Sequence, residues 1–225
     1  MYNITFITTI HDVIGKCNVD ELCKIIEKIK PEVVFLEALE DTYSKYERHL
    51  FSSFGVYHKK LEIAAIQKYS FNNSFEYVPV LNNGLSDAFE KKYSLVCENQ
   101  AFQDLIDNYN YLASEHGFSF LNSNESIKLH EEMRMEELRI LNNIELSKEV
   151  EIDIDEYENS MLRNIYSFCK NSEFNSAIFM CGAAHRKSII EKIDRLKTDE
   201  HVNLTWIVFE NRNQLLNNIK NHNTP

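Results

Sequence analysis

A buried strand, an amphipathic helix and a second buried strand follow one another at the start of the chain. This succession constrains the fold more than any other feature of the sequence. Ile4 to Ile10 is a short, nearly unbroken run of β-branched and aromatic residues, the pattern of a strand buried on both faces. Asn18 is placed to cap a helix, with Glu21 three residues on as its capping-box partner. Leu22, Ile25, Ile26 and Ile29 keep the helical apolar period, and Pro31 ends the helix. Glu32 to Leu36 is the second strand, with Glu37 at its carboxyl end. A βαβ unit of this kind is parallel and right-handed in nearly all cases. The expected fold class is therefore α/β, with a mostly parallel central sheet.

The pattern continues, is interrupted, and resumes. Tyr57 to Tyr69 reads as a helix with Leu61, Ala64, Ala65 and Tyr69 on related faces. Phe75 to Leu81 reads as a third strand, in which Pro79 argues either against a strand or for a place near a sheet edge. From Asn82 to about Leu146 the chain is polar and helical, and Glu149 to Asp155 reads as an acidic connector. A helix over Glu156 to Cys169 turns Met161, Leu162, Ile165 and Phe168 inward. Ser176 to Cys181 (strand), Arg186 to Leu196 (helix), Leu204 to Phe209 (strand) and Gln214 to Lys220 (helix) complete the alternation, with Trp206 and Phe209 in the core. The expectation is one α/β domain over 1–225, with a helical insertion or cap at about 82–155. The 225 residues, 44% of them hydrophobic, suffice for one substantial core.

Charge and cysteine usage narrow the functional classes. With 24 basic and 35 acidic side chains the net charge is −11, which repels phosphate backbones and anionic membranes alike. Nucleic acid and membrane partners are not expected; a small-molecule or peptide substrate is. The five cysteines include no CxxC pair, so neither a disulfide framework nor a structural zinc site is suggested. No basic, apolar leader and no apolar run of about 18 residues occurs, and the expectation is a cytoplasmic protein with free, mostly buried thiols.

Three side chains that can carry chemistry fall at carboxyl ends of expected parallel strands: His11, Glu37 and His185. In open parallel sheets those ends line the ligand crevice. A lone histidine after a strand is most often an ordinary capping residue, so the signal is the coincidence of three. Imidazole nitrogens and a carboxylate suit Zn, Mn, Co or Fe ions. The same groups also suit a general base, its orienting carboxylate and an electrophile. Asp12 could serve as an outer acceptor or a further ligand. Gly182 permits close backbone approach or an unusual dihedral ahead of His185. A helix beginning at His185 would hold the imidazole neutral through its dipole. Other candidates are weaker. His130-Glu131 starts like a zincin helix, but Arg134 stands where the second histidine belongs. Glu62 could line the pocket but reads more readily as a surface residue, and the run Glu131, Glu132, Glu136 and Glu137 reads as a solvated helix face. Cys181 reads as a buried thiol, and no GxSxG elbow occurs.

Two stretches carry a family likeness. Gly182-Ala183-Ala184-His185 is a GxxH motif, and Thr8-Thr9-Ile10-His11 is its counterpart near the start, with threonine in place of the glycine. Pro31-Glu32-Val33-Val34-Phe35-Leu36-Glu37 matches a P-D-x-x-x-x-E stretch, and Arg163-Asn164 an Arg-Asn pair. On these residues the chain resembles the TraB/PrgY/Tiki superfamily, which embraces erythromycin esterase and ChaN-like proteins. The likeness covers roughly residues 1–80 and 156–210. It implies an α/β core with a helical insertion, and members that are metal-dependent proteases, histidine-base esterases or haem binders. It places His11, Glu37 and His185 at the active centre, with Arg163 beside them to hold a substrate carboxylate, stabilise an oxyanion or lock Glu37. Asp12, Gly182 and Asn164 would line the substrate. The expected function is hydrolysis of a peptide or ester bond, with a divalent ion (Mn, Co, Zn or Fe) held by His11, Glu37 and His185. The alternative is a non-catalytic small-ligand or haem-binding regulatory module of the same fold.

Overall fold

A computed structural model describes residues 2–39, 59–84, 86–196 and 204–210. Its sheet has five parallel strands: β1 (Tyr2–Thr9), β2 (Val33–Leu39), β3 (Glu76–Leu81), β4 (Ser176–Gly182) and β5 (Leu204–Val208), in the order β3-β2-β4-β1-β5. The α/β class with a parallel sheet is thus as expected, and the strand carrying Pro79 lies at an edge. The chain steps from β1 to β2 in one direction and from β4 to β5 in the other. The reversal lies between the central neighbours β1 and β4, the place where open sheets form their crevice.

Side-chain alternation divides the core into two faces. Ile7, Val34, Leu36, Ile178 and Met180 face α1 (Val19–Ile29) and α2 (Leu61–Ser70). Ile4, Phe6, Val33, Phe35, Ala177 and Phe179 form the other face. That second face packs against α7 (Ile144–Asn171) and α8 (Arg186–Leu196). Asn18 caps α1 as expected, accepting from the Glu21 N–H at 3.0 Å. Between β3 and α7 lie α3 (Asp87–Val96), α4 (Gln100–His116), α5 (Phe118–Leu121) and α6 (Asn124–Leu141). The Gln214–Lys220 helix and the first residues of the Tyr57–Tyr69 helix lie outside the described residues. Among the described residues no helix is long and apolar enough to cross a membrane.

One expectation is corrected. Glu149 to Asp155 is not a connector but part of α7, which runs unbroken for 28 residues from Ile144 to Asn171. Its exposed acidic side chains resemble a linker in sequence. Leu146 and Val150, both buried, supply the apolar stripe that keeps the helix packed.

The insertion is tied to the core by a buried amide network. Asn122, just after α5, treats Thr8 as a neighbouring strand would: its Oδ1 accepts from the Thr8 N–H at 2.9 Å, and its Nδ2 donates to the Thr8 carbonyl at 2.9 Å. The Thr8 hydroxyl donates to the Leu121 carbonyl at 2.8 Å. Arg186, 2% exposed, adds Nη1 to Asn122 Oδ1 at 2.8 Å and Nη2 to the Asn122 and Phe209 carbonyls at 3.0 and 2.9 Å. Threonine at position 8 is therefore a tie between β1 and the insertion. A second tie uses two glycines at positive φ, Gly15 (49°) and Gly117 (61°). A Cβ on Gly15 would lie 2.1 Å from Ser114 Oγ, so only glycine lets the β1–α1 loop lie on the end of α4.

Asn122→Ala removes partners from both Thr8 peptide groups and from Arg186 at once. A loss of about 3–5 kcal/mol is expected, read as a lower urea midpoint at unchanged m-value. Thr8→Val, which removes only the hydroxyl, should cost about 1–2 kcal/mol.

Candidate active site

The strand ends deliver the expected side chains, and the way each is held defines the site. β2 carries a bulge: Leu36 pairs with Pro79 and Leu39 with Leu81, so one extra residue is accommodated around Glu37 and Ala38. Bulges re-aim side chains at sheet rims. Pairing of β2 with β4 stops at Leu36–Met180, and the Glu37 carboxylate takes over where the ladder ends. Its Oε2 accepts from the Gly182 N–H at 2.6 Å, and its Oε1 from the Tyr157 hydroxyl at 2.7 Å. Gly182 has φ −59°, so it supplies close approach and not an unusual dihedral. A Cβ there would stand 3.5 Å from Glu37 Oε2 and 3.8 Å from the His185 ring, an ordinary contact.

Each histidine is backed by a buried carboxylate. His185 ends a 3₁₀ turn, Ala183–His185, ahead of α8, and its Nδ1–H donates to Glu158 Oε1 at 2.8 Å. Its Nε2 lies 3.6 Å from Glu37 Oε1, and its ring stacks on Tyr157 with centroids 5.5 Å apart. His11 Nδ1–H donates to Glu62 Oε1 at 3.0 Å, and the same oxygen accepts from the Thr9 hydroxyl at 2.7 Å. Glu62 and Glu158 are 2% and 1% exposed, so each is a buried charge committed to its imidazole. Glu158 is satisfied further by the Ser188 hydroxyl and by Lys192 Nζ at 3.2 Å.

Electrostatics follow from these contacts. Burial lowers the His185 pKa, but the Glu158 hydrogen bond and the Glu37 and Glu158 charges outweigh it, and the net shift is upward. This direction is opposite to the lowering expected from a helix dipole, because the Glu37 and Glu158 carboxylates favour the protonated ring. The Glu62 hydrogen bond raises His11 against the opposing effect of burial. Burial raises the Glu158 carboxyl, yet its His185, Ser188 and Lys192 partners carry it below the ordinary value. Burial, with Glu37 and Glu158 nearby, pushes the Cys181 thiol well up, so it stays neutral.

The structure brings His11, Glu37, Gly182 and His185 to one end of the sheet. Arg163 lies elsewhere: its guanidinium pairs with Glu156, also on α7, and is more than half exposed, while Tyr157 and Gly182 hold Glu37. Asn164 fastens α7 to the end of β3, donating to the Val80 carbonyl at 3.0 Å and to Asn82 Oδ1 at 2.9 Å. Asp12 is exposed. Of the two readings of Glu62, the surface one is corrected: the side chain is buried and is the His11 partner. Tyr157 and Glu158, which hold Glu37 and His185, are site residues that the sequence reading missed. Only Glu62 had a local signal, as a single carboxylate in the apolar run Leu61 to Ile66; Glu158 stands among Glu156, Asn159, Ser160 and Arg163 and had none.

The donor set fits a divalent ion in chemistry. Nδ1 of each histidine is occupied by a carboxylate, the arrangement that presents Nε2 to a metal. Two ligands at about 2.1 Å in tetrahedral array stand about 3.4 Å apart, close to the 3.6 Å between His185 Nε2 and Glu37 Oε1. As the side chains stand, no group of three such donors among the described residues is arranged to hold an ion. A cavity of about 210 Å³ runs along Tyr157, between Asn82, Ser86 and Phe89 on one side and Asp153 and Ser160 on the other.

Comparison with known proteins returned no match: no family model, no curated protein and no solved structure corresponds to the chain.

His130 tests the burial argument near the site. On α6, its ring lies 4.6 Å from that of Tyr109, and its Nε2 is enclosed with no hydrogen-bond partner among the described residues. Burial, helped by the His185 and Arg134 charges, lowers its pKa from 6.5 to about 4. A depressed histidine leaves the unfolded chain holding more protons between those values. Stability is therefore intact above about 6.5 and is lost as pH falls through about 4, by roughly 3 kcal/mol in all. Urea titrations across this window should show that slope, and His130→Gln should flatten it.

Proposed function

We propose that the chain is a hydrolase acting at an acyl centre, a peptide or an ester, through His11, Glu37 and His185. The observation that carries the reading is the pair of imidazoles, each with Nδ1 held by a buried carboxylate, at the switch point of a parallel sheet. That arrangement fixes the tautomer and directs Nε2 to act, the requirement for a general base. His185 Nε2 takes a proton from water, and Glu37, 3.6 Å away and anchored by Gly182 and Tyr157, orients that water. Glu158 stabilises the imidazolium that results, which returns the proton to the amine or alcohol that leaves as the acyl C–N or C–O bond breaks. His11, held by Glu62 and half exposed, offers a protonated ring to the developing oxyanion. In the metal form, the alternative to this metal-free one, a divalent ion held by His11, Glu37 and His185 would itself polarise the carbonyl and lower the pKa of water, and the two imidazoles would serve as neutral ligands. The cavity beside Tyr157 offers amide and hydroxyl groups to a peptide or ester chain.

The test is turnover of a panel of chromogenic esters and fluorogenic peptides, with chelator and with added Mn²⁺, Co²⁺, Zn²⁺ or Fe²⁺. The wild type is expected to hydrolyse at least one class. His185→Ala should lose about 100-fold or more while keeping its unfolding midpoint. Tyr157→Phe, which frees Glu37, should lose about tenfold. Absence of hydrolysis under every condition, or full activity in folded His185→Ala, overturns the reading.

A further inference from the structure

Glu158 and Ser188 also line a cavity of about 180 Å³ between the helical insertion and α8. This is smaller than the roughly 300–1,000 Å³ of drug-sized pockets, and it suits one small molecule. Leu138 and Leu141 of α6 and Val150 and Ile154 of α7 give it an apolar wall. Most charges at its edge are already committed: Lys92 to Glu137 at 2.8 Å, and Asp155 to Lys192. Two are not. Arg134 on α6 and Glu151 on α7 line the cavity, and neither has a salt-bridge or hydrogen-bond partner among the described residues.

We propose that this cavity binds a free apolar α-amino acid. One uncommitted cation and one uncommitted anion, on different helices around an apolar space, complement a zwitterion with an apolar side chain. The Arg134 guanidinium takes the carboxylate, for which its fork geometry is suited. Glu151 takes the ammonium group, and the side chain lies on the Leu138, Leu141, Val150 and Ile154 wall. A simple carboxylate or amine would satisfy only one of the two charges. Because Glu158 is both a wall of this cavity and the partner of His185 Nδ1, occupancy is transmitted to the imidazole. The site does not depend on the crevice being hydrolytic.

The experiment is isothermal titration of the full chain with L-leucine and L-methionine, beside 4-methylpentanoate, which lacks the ammonium group, and 3-methylbutylamine, which lacks the carboxylate. The expected result is binding of at least one amino acid, with both truncated analogues at least about tenfold weaker. Arg134→Ala and Glu151→Gln, both at exposed positions, should each weaken binding about tenfold or more at unchanged unfolding midpoint. The His185 ring resonance should shift on addition of the amino acid. Three results overturn the proposal: no binding of either amino acid at about 10 mM, equal binding of an analogue, or binding indifferent to both substitutions.

Discussion

The Asn122 side chain occupies, beside Thr8, the place of a missing strand. Everything at the crevice depends on that substitution of an amide side chain for a backbone. β1 must end abruptly for His11 to turn toward Glu62, and the last peptide groups of a buried strand cannot go unpaired. Asn122 satisfies them from the insertion, and Arg186 satisfies Asn122 from the start of α8. Three separate parts of the chain, the β1 end, the α5–α6 junction and the β4–α8 turn, are thereby fixed to one another within a dry network. Cooperation of this kind makes the position of each histidine a property of the whole assembly.

The site repeats one device three times: a side chain that acts is oriented by a group that is buried. His11 has Glu62, His185 has Glu158, and Glu37 has Tyr157 with the Gly182 N–H. Isolated carboxylates as deeply enclosed as Glu62 and Glu158 are costly, and each is offset by a directed partner. The net effect is a crevice where positive charge on the imidazoles is favoured by carboxylates that cannot move away.

The sheet was largely legible because it is written in local periodicity. The β-branched runs, the Asn18 cap and Pro79 at an edge each depend on neighbours in sequence. His11, Glu37 and His185 were legible for a related reason: strand ends in a parallel sheet share one rim. Their partners were not, because Glu62 and Glu158 reach the rim from helices whose packing only tertiary structure decides. The acidic surface of Glu149 to Asp155 concealed the start of α7 in the same way, since a solvated helix face and a charged linker have like compositions. Thr8 could be read only as a departure from glycine; its reason lay 114 positions away in Asn122.

α7 has one more property that its unbroken course imposes. It is a single rod of 28 residues, about 42 Å long. Its first half belongs to the insertion, its middle holds Glu37 and His185 through Tyr157 and Glu158, and its second half packs on the sheet. Insertion and core therefore share an axle and have no hinge along it. Adding or deleting one residue near Ile152 would turn the two ends against each other by about 100°. Tyr157 and Glu158 would then lose either their cavity or their crevice. Substitutions along the exposed face are cheap by comparison. The length of this helix, more than its exposed composition, is what couples the two halves of the molecule.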